Sequence, residues 1–338
     1  MRRLPVYLLL DCSESMAGEA IGDLTKGVDT MLMALRSDPQ ALETAWLSII
    51  TFSGQAKQVL PLTDILQVQC PKLCVRTGTS LGAALRLAVD CIKREVAKTT
   101  PTTKGDYKPL VFLFTDGQPT DEWESAAAAI RAQRKPGIAN IYAIGCGPDV
   151  DTQVLREVTD IVLAMTDTSL ESWKKVFMWL TASVQSTSQA LASGLEGQPV
   201  DLPAMPDVLE VVRQPTSLRN KAPRQVFVHA WCSKTGKPYL MRYARRGESG
   251  RYVALCAHQL DLPDGEEGEV QSSAISTSIL DGVPPCPFCG NRVAVFCECK
   301  SLLCSSGAVQ EPFTCPRCHQ QGMLSDDRGG FDVGQVQG

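Results

Sequence analysis

From residue 5 to about 190, short apolar runs alternate with longer segments of helical period, the pattern of a parallel sheet covered by helices on both faces. Strands are expected at 6–10, 46–52, 59–62, 110–114, 138–144 and 161–164, and helices at 18–36, 80–97, 122–133, 151–157 and 169–191. The unbroken apolar runs YLLL and VFLF suit strands buried on both faces. The expected fold class is α/β, a doubly wound, mostly parallel, Rossmann-like sheet of six strands.

The pattern changes after residue 192. The stretches SGLEGQPVDLPAMP and QPTSLRN are rich in Gly, Pro and Ser, so 193–218 reads as a linker that closes a first domain at 1–192. Residues 224–260 carry three short strand-like runs, RQVFVHAW, KPYLMRYA and RYVALCA, with turn signals between them. They open a second, β-rich domain expected over 219–323. The final stretch SDDRGGFDVGQVQG has little to pack, and 324–338 is expected to be a flexible tail.

Arg2 and Arg3 followed by an apolar run imitate a signal peptide, but the run is shorter than the roughly 7–15 residues of an h-region and Asp11 ends it. It reads as a buried strand. No stretch approaches the roughly 20 apolar residues that span a bilayer, so a soluble, cytoplasmic protein without a membrane partner is expected. The oligomeric state is not legible. The net charge of −4 argues against a uniformly basic nucleic-acid binder, yet residues 213–260 hold ten basic side chains against one acidic, Glu248. Arg242, Arg245 and Arg246 in this segment are candidates for binding phosphate, on nucleic acid or on a phosphorylated partner segment. A solvated face, partly neutralised by the acidic stretch 261–269, is the competing reading.

Two constellations carry candidate metal chemistry. Asp11, Ser13 and Ser15 leave the first strand at alternate positions, which point the same way on extended chain. The Phe-Thr-Asp116-Gly turn ends a second strand, and Thr77-Gly-Thr79-Ser-Leu-Gly opens a helix. Ligands of open α/β sheets bind at the carboxyl ends of strands. Two aspartates with three hydroxyls suit a hard cation such as Mg²⁺ or Mn²⁺ rather than Zn²⁺. Helix N-capping is the bland alternative for Asp-x-Ser-x-Ser.

The set Asp11-x-Ser13-x-Ser15, Thr79 in GTSLGAAL and Asp116 in FTDG resembles the metal-ion-dependent adhesion site (MIDAS) of von Willebrand factor A (VWA) domains. Thr77 competes with Thr79, but Ala84 and Leu85 follow Thr79 at the family's spacing. The resemblance implies that Ser13, Ser15 and Thr79 hold the cation (Mg²⁺, with Mn²⁺ or Ca²⁺ as substitutes) directly. Asp11 and Asp116 would act through water and by orienting hydroxyls, leaving one position for a partner's carboxylate.

Of 14 cysteines, nine lie from Cys232 to Cys318 and seven of those between 286 and 318, which in a long chain without an export signal points to metal rather than disulfides. Two Cys-Pro-x-Cys knuckles, Cys286/Cys289 and Cys315/Cys318, are the first choice for a closed Zn²⁺ site. Cys297, Cys299, Cys304 and His319 offer a second, with Cys232, Cys256 or His258 as further candidates to complete it. One or two Zn²⁺ ions would fold the domain rather than catalyse. The remaining cysteines read as reduced structural thiols.

A VWA-type domain followed by CSKTGKPYLMRY and this cysteine array is similar to the tellurium-resistance-associated TerY-like family, with its C-terminal metal-binding TerY-C domain. That resemblance implies a cytosolic bacterial adaptor working with a protein-phosphatase-2C-like enzyme and a Ser/Thr kinase in stress resistance. Catalysis is disfavoured. Asp11-x-Ser13 lacks the second aspartate of haloacid-dehalogenase phosphatases, and His229, His258 and His319 all lie beyond the linker, with no G-x-S-x-G elbow.

Overall fold

All eight residues of β1 (Leu4–Asp11) are buried, as the unbroken apolar run requires. In the computed structural model the described residues are 2–132, 138–147, 149–192, 203–218, 222–247, 249–260, 273–307, 312–323 and 332–336. Positions 193–202 of the expected linker, the acidic stretch 261–269, Glu248, and 324–331 and 337–338 of the expected tail lie outside the described residues. The chain divides into two units. The first holds Met1–Cys12, Gly18–Leu73 and Thr79–Arg219, and the second holds Ser13–Ala17, Cys74–Gly78 and Asn220–Gly338.

After β1 come a 3₁₀ turn (Glu14–Met16), α1 (Glu19–Arg36), α2 (Pro39–Thr44), β2 (Ala45–Phe52), β3 (Ala56–Asp64), α3 (Leu81–Glu95) and β4 (Leu110–Thr115). Then follow α4 (Glu124–Ala132), β5 (Asn140–Gly145), α5 (Thr152–Val158), β6 (Val162–Met165), α6 (Leu170–Ala192) and β7 (Leu209–Val211). Helix α2 escapes the sequence pattern because its six residues make less than two turns. Its start is nonetheless encoded: Pro39 sits in the first turn and Asp38 accepts the Ala41 N–H at 2.7 Å.

The strand order is β3-β2-β1-β4-β5-β6-β7. Strands β2, β1, β4, β5 and β6 are parallel, while β3 and β7 add antiparallel edges. The sheet thus has seven strands, one more than expected. The extra strand, β7, falls inside the supposed linker, where three residues are too few to show a period. The order reverses between β1 and β4, and at such a switch point the loops leaving two neighbouring strands diverge and open a crevice.

Alternation across the pleat sorts the core. Tyr7, Leu9, Val111 and Leu113 meet Leu85, Ala88 and Ile92 of α3, Ile130 of α4 and Leu155 of α5. From the opposite face, Phe114 stacks on Phe177 of α6 with ring centroids 5.4 Å apart and lies 5.8 Å from Trp173. Helix α1 packs on α6, and Gly27 is what permits the approach, since a Cβ there would come within 2.2 Å of the Phe177 ring.

The second unit is built of shorter strands: β8 (Gln225–Trp231), β9 (Pro238–Arg245), β10 (Tyr252–Gln259), β11 (Ser273–Ser276), β12 (Leu280–Asp281), β13 (Val293–Phe296), β14 (Leu302–Ser305), β15 (Phe313–Thr314), β16 (Gln321–Gly322) and β17 (Asp332–Val336). Its main sheet runs β11-β17-β8-β9-β10-β12. The β13–β14 hairpin joins at β8 through Leu303 opposite Trp231, and β15–β16 form a separate ribbon. Val226, Val228 and Ala230 of β8 and Tyr239, Met241 and Tyr243 of β9 share one core at alternate positions. The expectation of a flexible tail is overturned for 332–336: β17 lies between β11 and β8, and Val333 is buried in that core. Backbone pairing with two neighbours orders a segment whose composition offers almost no apolar surface.

Candidate metal centres

In the first unit, Asp11 ends β1 and Asp116 follows β4, the two strands flanking the switch point. Both are buried, as is Thr79 ahead of α3. The Thr115 hydroxyl donates to Asp11 Oδ2 at 2.6 Å, and Asp116 Oδ1 accepts the Gln118 N–H at 3.1 Å. Burial first, then the charges of Asp11 and Asp116, push the Cys146 thiol well above its ordinary pKa. Two carboxylates thus act on one buried thiol at the ends of β1 and β4.

Thr79 is clamped by its backbone: its N–H donates to the Thr120 hydroxyl and its carbonyl accepts the Thr120 N–H, both at 2.9 Å. Its own hydroxyl is fully buried and has no hydrogen-bond partner. A hydroxyl oxygen held dry and unsatisfied is costly unless something binds it. Thr77, by contrast, is only partly buried. Asp121 accepts the N–H groups of Gly82 and Ala83 at 3.0 and 2.9 Å and so caps α3. Gly82 allows that approach, as a Cβ would lie 2.1 Å from the Glu122 carbonyl.

In the second unit's segment 13–17, two and four residues along the chain from Asp11, the hydroxyls of Ser13 and Ser15 are 3.0 Å apart. Ser13 stands at the N-cap position of the 3₁₀ turn but makes no side-chain capping bond, so capping does not account for it. Glu14, which the sequence reading passed over, is fully buried between the two serines. Its Oε2 accepts the Gly78 N–H at 2.9 Å and its Oε1 lies 3.5 Å from His229 Nε2 within the same unit. Burial raises its pKa against the lowering effect of His229. Only its place between two polar motif residues could have singled it out.

The cysteines sort differently from the sequence expectation. One group is Cys232, Cys286, Cys289 and Cys304, the other Cys297, Cys299, Cys315 and Cys318, and within each all four sulfurs lie within 4.8 Å of one another. Sulfur separations of 3.4 Å (Cys289 to Cys304), 3.5 Å (Cys297 to Cys318) and 3.6 Å (Cys299 to Cys315) far exceed a disulfide bond of about 2.05 Å. They approach the edge of about 3.8 Å that Zn–S bonds of about 2.3 Å give a tetrahedron. The two Cys-Pro-x-Cys knuckles thus belong to different sites rather than to one. Strand geometry separates them: β14 carries Cys304 beside β8, whose end delivers Cys232, while Cys297 and Cys299 turn at the far end of the β13–β14 hairpin.

A repeated turn builds these ligands. The N–H of Gly236, Gly290, Lys300 and His319 donates to the carbonyl of Cys232, Cys286, Cys297 and Cys315 at 2.8–2.9 Å. Each donor has left-handed φ: 68°, 77°, 67° and 59° respectively. His319 is therefore the turn residue after Cys318, where Gly290 stands after Cys289, and it is not one of the grouped ligands. In Cys232-Ser-Lys-Thr235-Gly236 a threonine occupies the place of a second knuckle cysteine, and Cys304 completes the set from β14. The same alignment, readable from CSKTG, was the missed signal.

Electrostatics favours an ion in both groups. Burial pushes Cys286 and Cys297 up to about 12. At Cys232 burial also raises the pKa, but hydrogen bonds from Thr235 and Lys234 outweigh it and bring it to about 7; at Cys299 those from Ser301 do the same, to about 6. Each group holds one thiol primed to ionise beside others that need a cation to do so.

Arg242, Arg245 and Arg246 do not share one face. Arg242 faces away from the core, its Nε donating to Gln225 Oε1 at 2.8 Å and its guanidinium over the Phe227 ring. Arg245 falls three positions on, hence on the opposite side of β9, and Arg246 lies past the strand end. Arg251 is paired with Asp281.

Comparison with known proteins now places the chain. The von Willebrand factor type A domain matches residues 6–177, and the chain belongs to this family. The TerY-C metal binding domain matches residues 223–338, so a TerY-like combination of domains is present. Matrilin-3 of Gallus gallus is 29% identical over 165 residues, covering 46% of this chain and 34% of its own length. The chain thus spans about a third of that curated relative. Similar solved structures include mussel byssus proximal thread matrix protein 1 with a zinc-occupied MIDAS motif (20% identity, 55% of this chain, 46% of that one, TM-score 0.38). BatB from Bacteroides thetaiotaomicron (18%, 54% and 99%, TM-score 0.38) and the pilus adhesin SpaC from Lactobacillus rhamnosus GG (12%, 73% and 36%, TM-score 0.45) are others. No helix among the described residues is long and apolar enough to cross a membrane.

Proposed function

We propose that the protein is a non-catalytic adaptor whose first domain docks partner proteins through a divalent cation and whose second is stapled by two Zn²⁺ ions. Asp11, Ser13, Ser15, Thr79 and Asp116 hold Mg²⁺, Mn²⁺ or Ca²⁺, which when bound offers a Lewis-acidic position to a partner's carboxylate. The buried, unpartnered Thr79 hydroxyl carries this reading, together with the burial of the Asp11 and Asp116 carboxylates at the ends of β1 and β4. Thr115 fixes the Asp11 carboxylate, and the Thr120 bonds hold Thr79 in place. Thiolate ligation needs reduced cysteines, which fits the cytoplasm.

By the TerY-like resemblance, the partners are a protein-phosphatase-2C-like enzyme and a Ser/Thr kinase in a tellurite or stress response. The scatter of Arg242, Arg245 and Arg246 over two faces leaves a phosphate-binding triad without support. The test is recovery of partners from native lysate by the tagged protein with Mg²⁺, with EDTA, and with the Asp11→Ala variant. Partners retained only by the unaltered protein in Mg²⁺ are expected. Equal recovery in all three would sink the metal-bridged mechanism.

A further inference from the structure

The pair Cys256 and His258 belongs to none of the candidate metal sites. On β10, Cys256 Sγ lies 3.2 Å from His258 Nε2. The two are two residues apart on one strand and share a face. Neither is among the grouped zinc ligands, and both are half-buried, so small solutes reach them.

The strand register explains why they are there. Pairing of β10 with β9 runs Val253 to Ala244 and Ala254 to Tyr243, then skips Leu255 and resumes with Cys256 opposite Arg242 and His258 opposite Leu240. Leu255 is the extra residue of a bulge, and it is 53% exposed. In an unbroken register Arg242 would face Leu255, and Cys256 would face Met241 on the core side. One inserted residue reverses the parity of everything after it. Here it moves a thiol and an imidazole out of the core and onto the face that carries a guanidinium. Natural bulges re-aim side chains next to functional sites, and an exposed leucine is an odd thing to keep for packing.

We propose that Cys256 is an oxidant-reactive thiol, that His258 is its proton acceptor, and that hydroperoxides are its substrate class. In the reaction the Cys256 sulfur attacks one peroxide oxygen, forming an S–O bond as the O–O bond breaks. The thiol proton passes to His258 Nε2 and from there to the departing hydroxide, so that thiol and hydrogen peroxide become sulfenic acid and water. Sulfur is oxidised and peroxide reduced, with nothing else consumed. Arg242, across the strand pair, is a positioning residue whose charge favours the anionic sulfur of the transition state. Burial, and then the Arg242 charge, lower the His258 pKa, which keeps the ring neutral and able to accept a proton.

The chain supplies its own control. Cys70 is also half-buried and outside both zinc groups, but it lacks an imidazole. Burial and then the Asp29 carboxylate push it up to about 12. Exposure alone would make the two thiols alike, whereas the proposed chemistry separates them.

The experiment treats the full-length, zinc-loaded protein with stoichiometric hydrogen peroxide in the presence of dimedone and maps the adducts by mass spectrometry, with zinc content measured alongside. Cys256 is expected to label at least tenfold faster than Cys70. His258→Ala should reduce Cys256 labelling about tenfold or more, in line with loss of a general base, while zinc content stays unchanged. Arg242→Gln should lower it by a few-fold, and His258→Asn serves if the alanine variant fails to fold. Comparable labelling of Cys256 and Cys70 would overturn the proposal, as would a zinc-replete His258 variant that labels at the unaltered rate.

Discussion

The oxygen donors and the sulfur donors of this chain pose opposite problems. Asp11 and Asp116 sit at the ends of β1 and β4, in a sheet whose core is already complete: both strands are buried along their whole length, and Phe114, Trp173 and Phe177 pack together on one face of it. The sulfur donors sit in a unit of short strands, several only two to four residues long, where buried cysteines are themselves members of the apolar clusters. An ion can leave the first kind of site and leave a fold behind. Removing the ion from the second leaves four thiols crowded within 4.8 Å in place of a cross-link. On the proposed function, hardness of the donors tracks the job, exchangeable docking at oxygen and permanent stapling at sulfur.

The largest expected effect breaks or upholds this contrast directly. Stripping the protein with a strong chelator should unfold the second unit while the first keeps its protection in hydrogen exchange, because structural zinc supplies about 10–16 kcal/mol of apparent folding free energy. Elemental analysis should first find two zinc ions per chain. A single ion, or a second unit that stays folded without metal, would erase the distinction.

Next in size, Phe177→Ala should destabilise the first unit by about 3–5 kcal/mol in urea titration through loss of a buried aromatic. Zinc content should not change. The third effect depends on pH. Burial raises the pKa of Asp106, but the Arg3 guanidinium at 2.5 Å and the Ala97 N–H outweigh it and leave it below the usual carboxylate range. The stabilisation is thus complete above pH about 4 and is lost as pH falls through the lower folded value. The urea midpoint of the first unit should drop in that window, and Asp106→Asn should flatten the drop.

The smallest effect is the most pointed. His319→Gly should retain both zinc ions and stabilise the second unit by up to about 1 kcal/mol, since glycine adopts left-handed φ without penalty. Loss of an ion would instead make His319 a ligand.

Much of the first unit was legible. Runs such as YLLL and VFLF announce strands buried on both faces, and five of the helices follow from period alone, because apolar spacing is a local property of sequence. Helix α2 and strand β7 were too short to carry a period. Asp-x-Ser-x-Ser, Thr79 and Asp116 could be picked out by residue type at strand ends. That Thr79 is buried with an unpartnered hydroxyl, that Ser13 does not cap its turn and that Glu14 is fully buried are facts of packing.

The cysteines mark the limit most clearly. Sequence alone determined that this chain carries sulfur ligands enough for a metal-stapled domain, since knuckle spacing is set by the geometry of a few adjacent residues. Which thiols share an ion was decided by tertiary structure, where a hairpin places Cys304 with Cys232 and turns Cys297 and Cys299 toward the other knuckle. The same holds for β17, ordered by its two strand neighbours, and for Cys256, brought to the face of Arg242 by a one-residue bulge. Pairing between distant segments depends on register, and register is a property of the assembled sheet rather than of either strand.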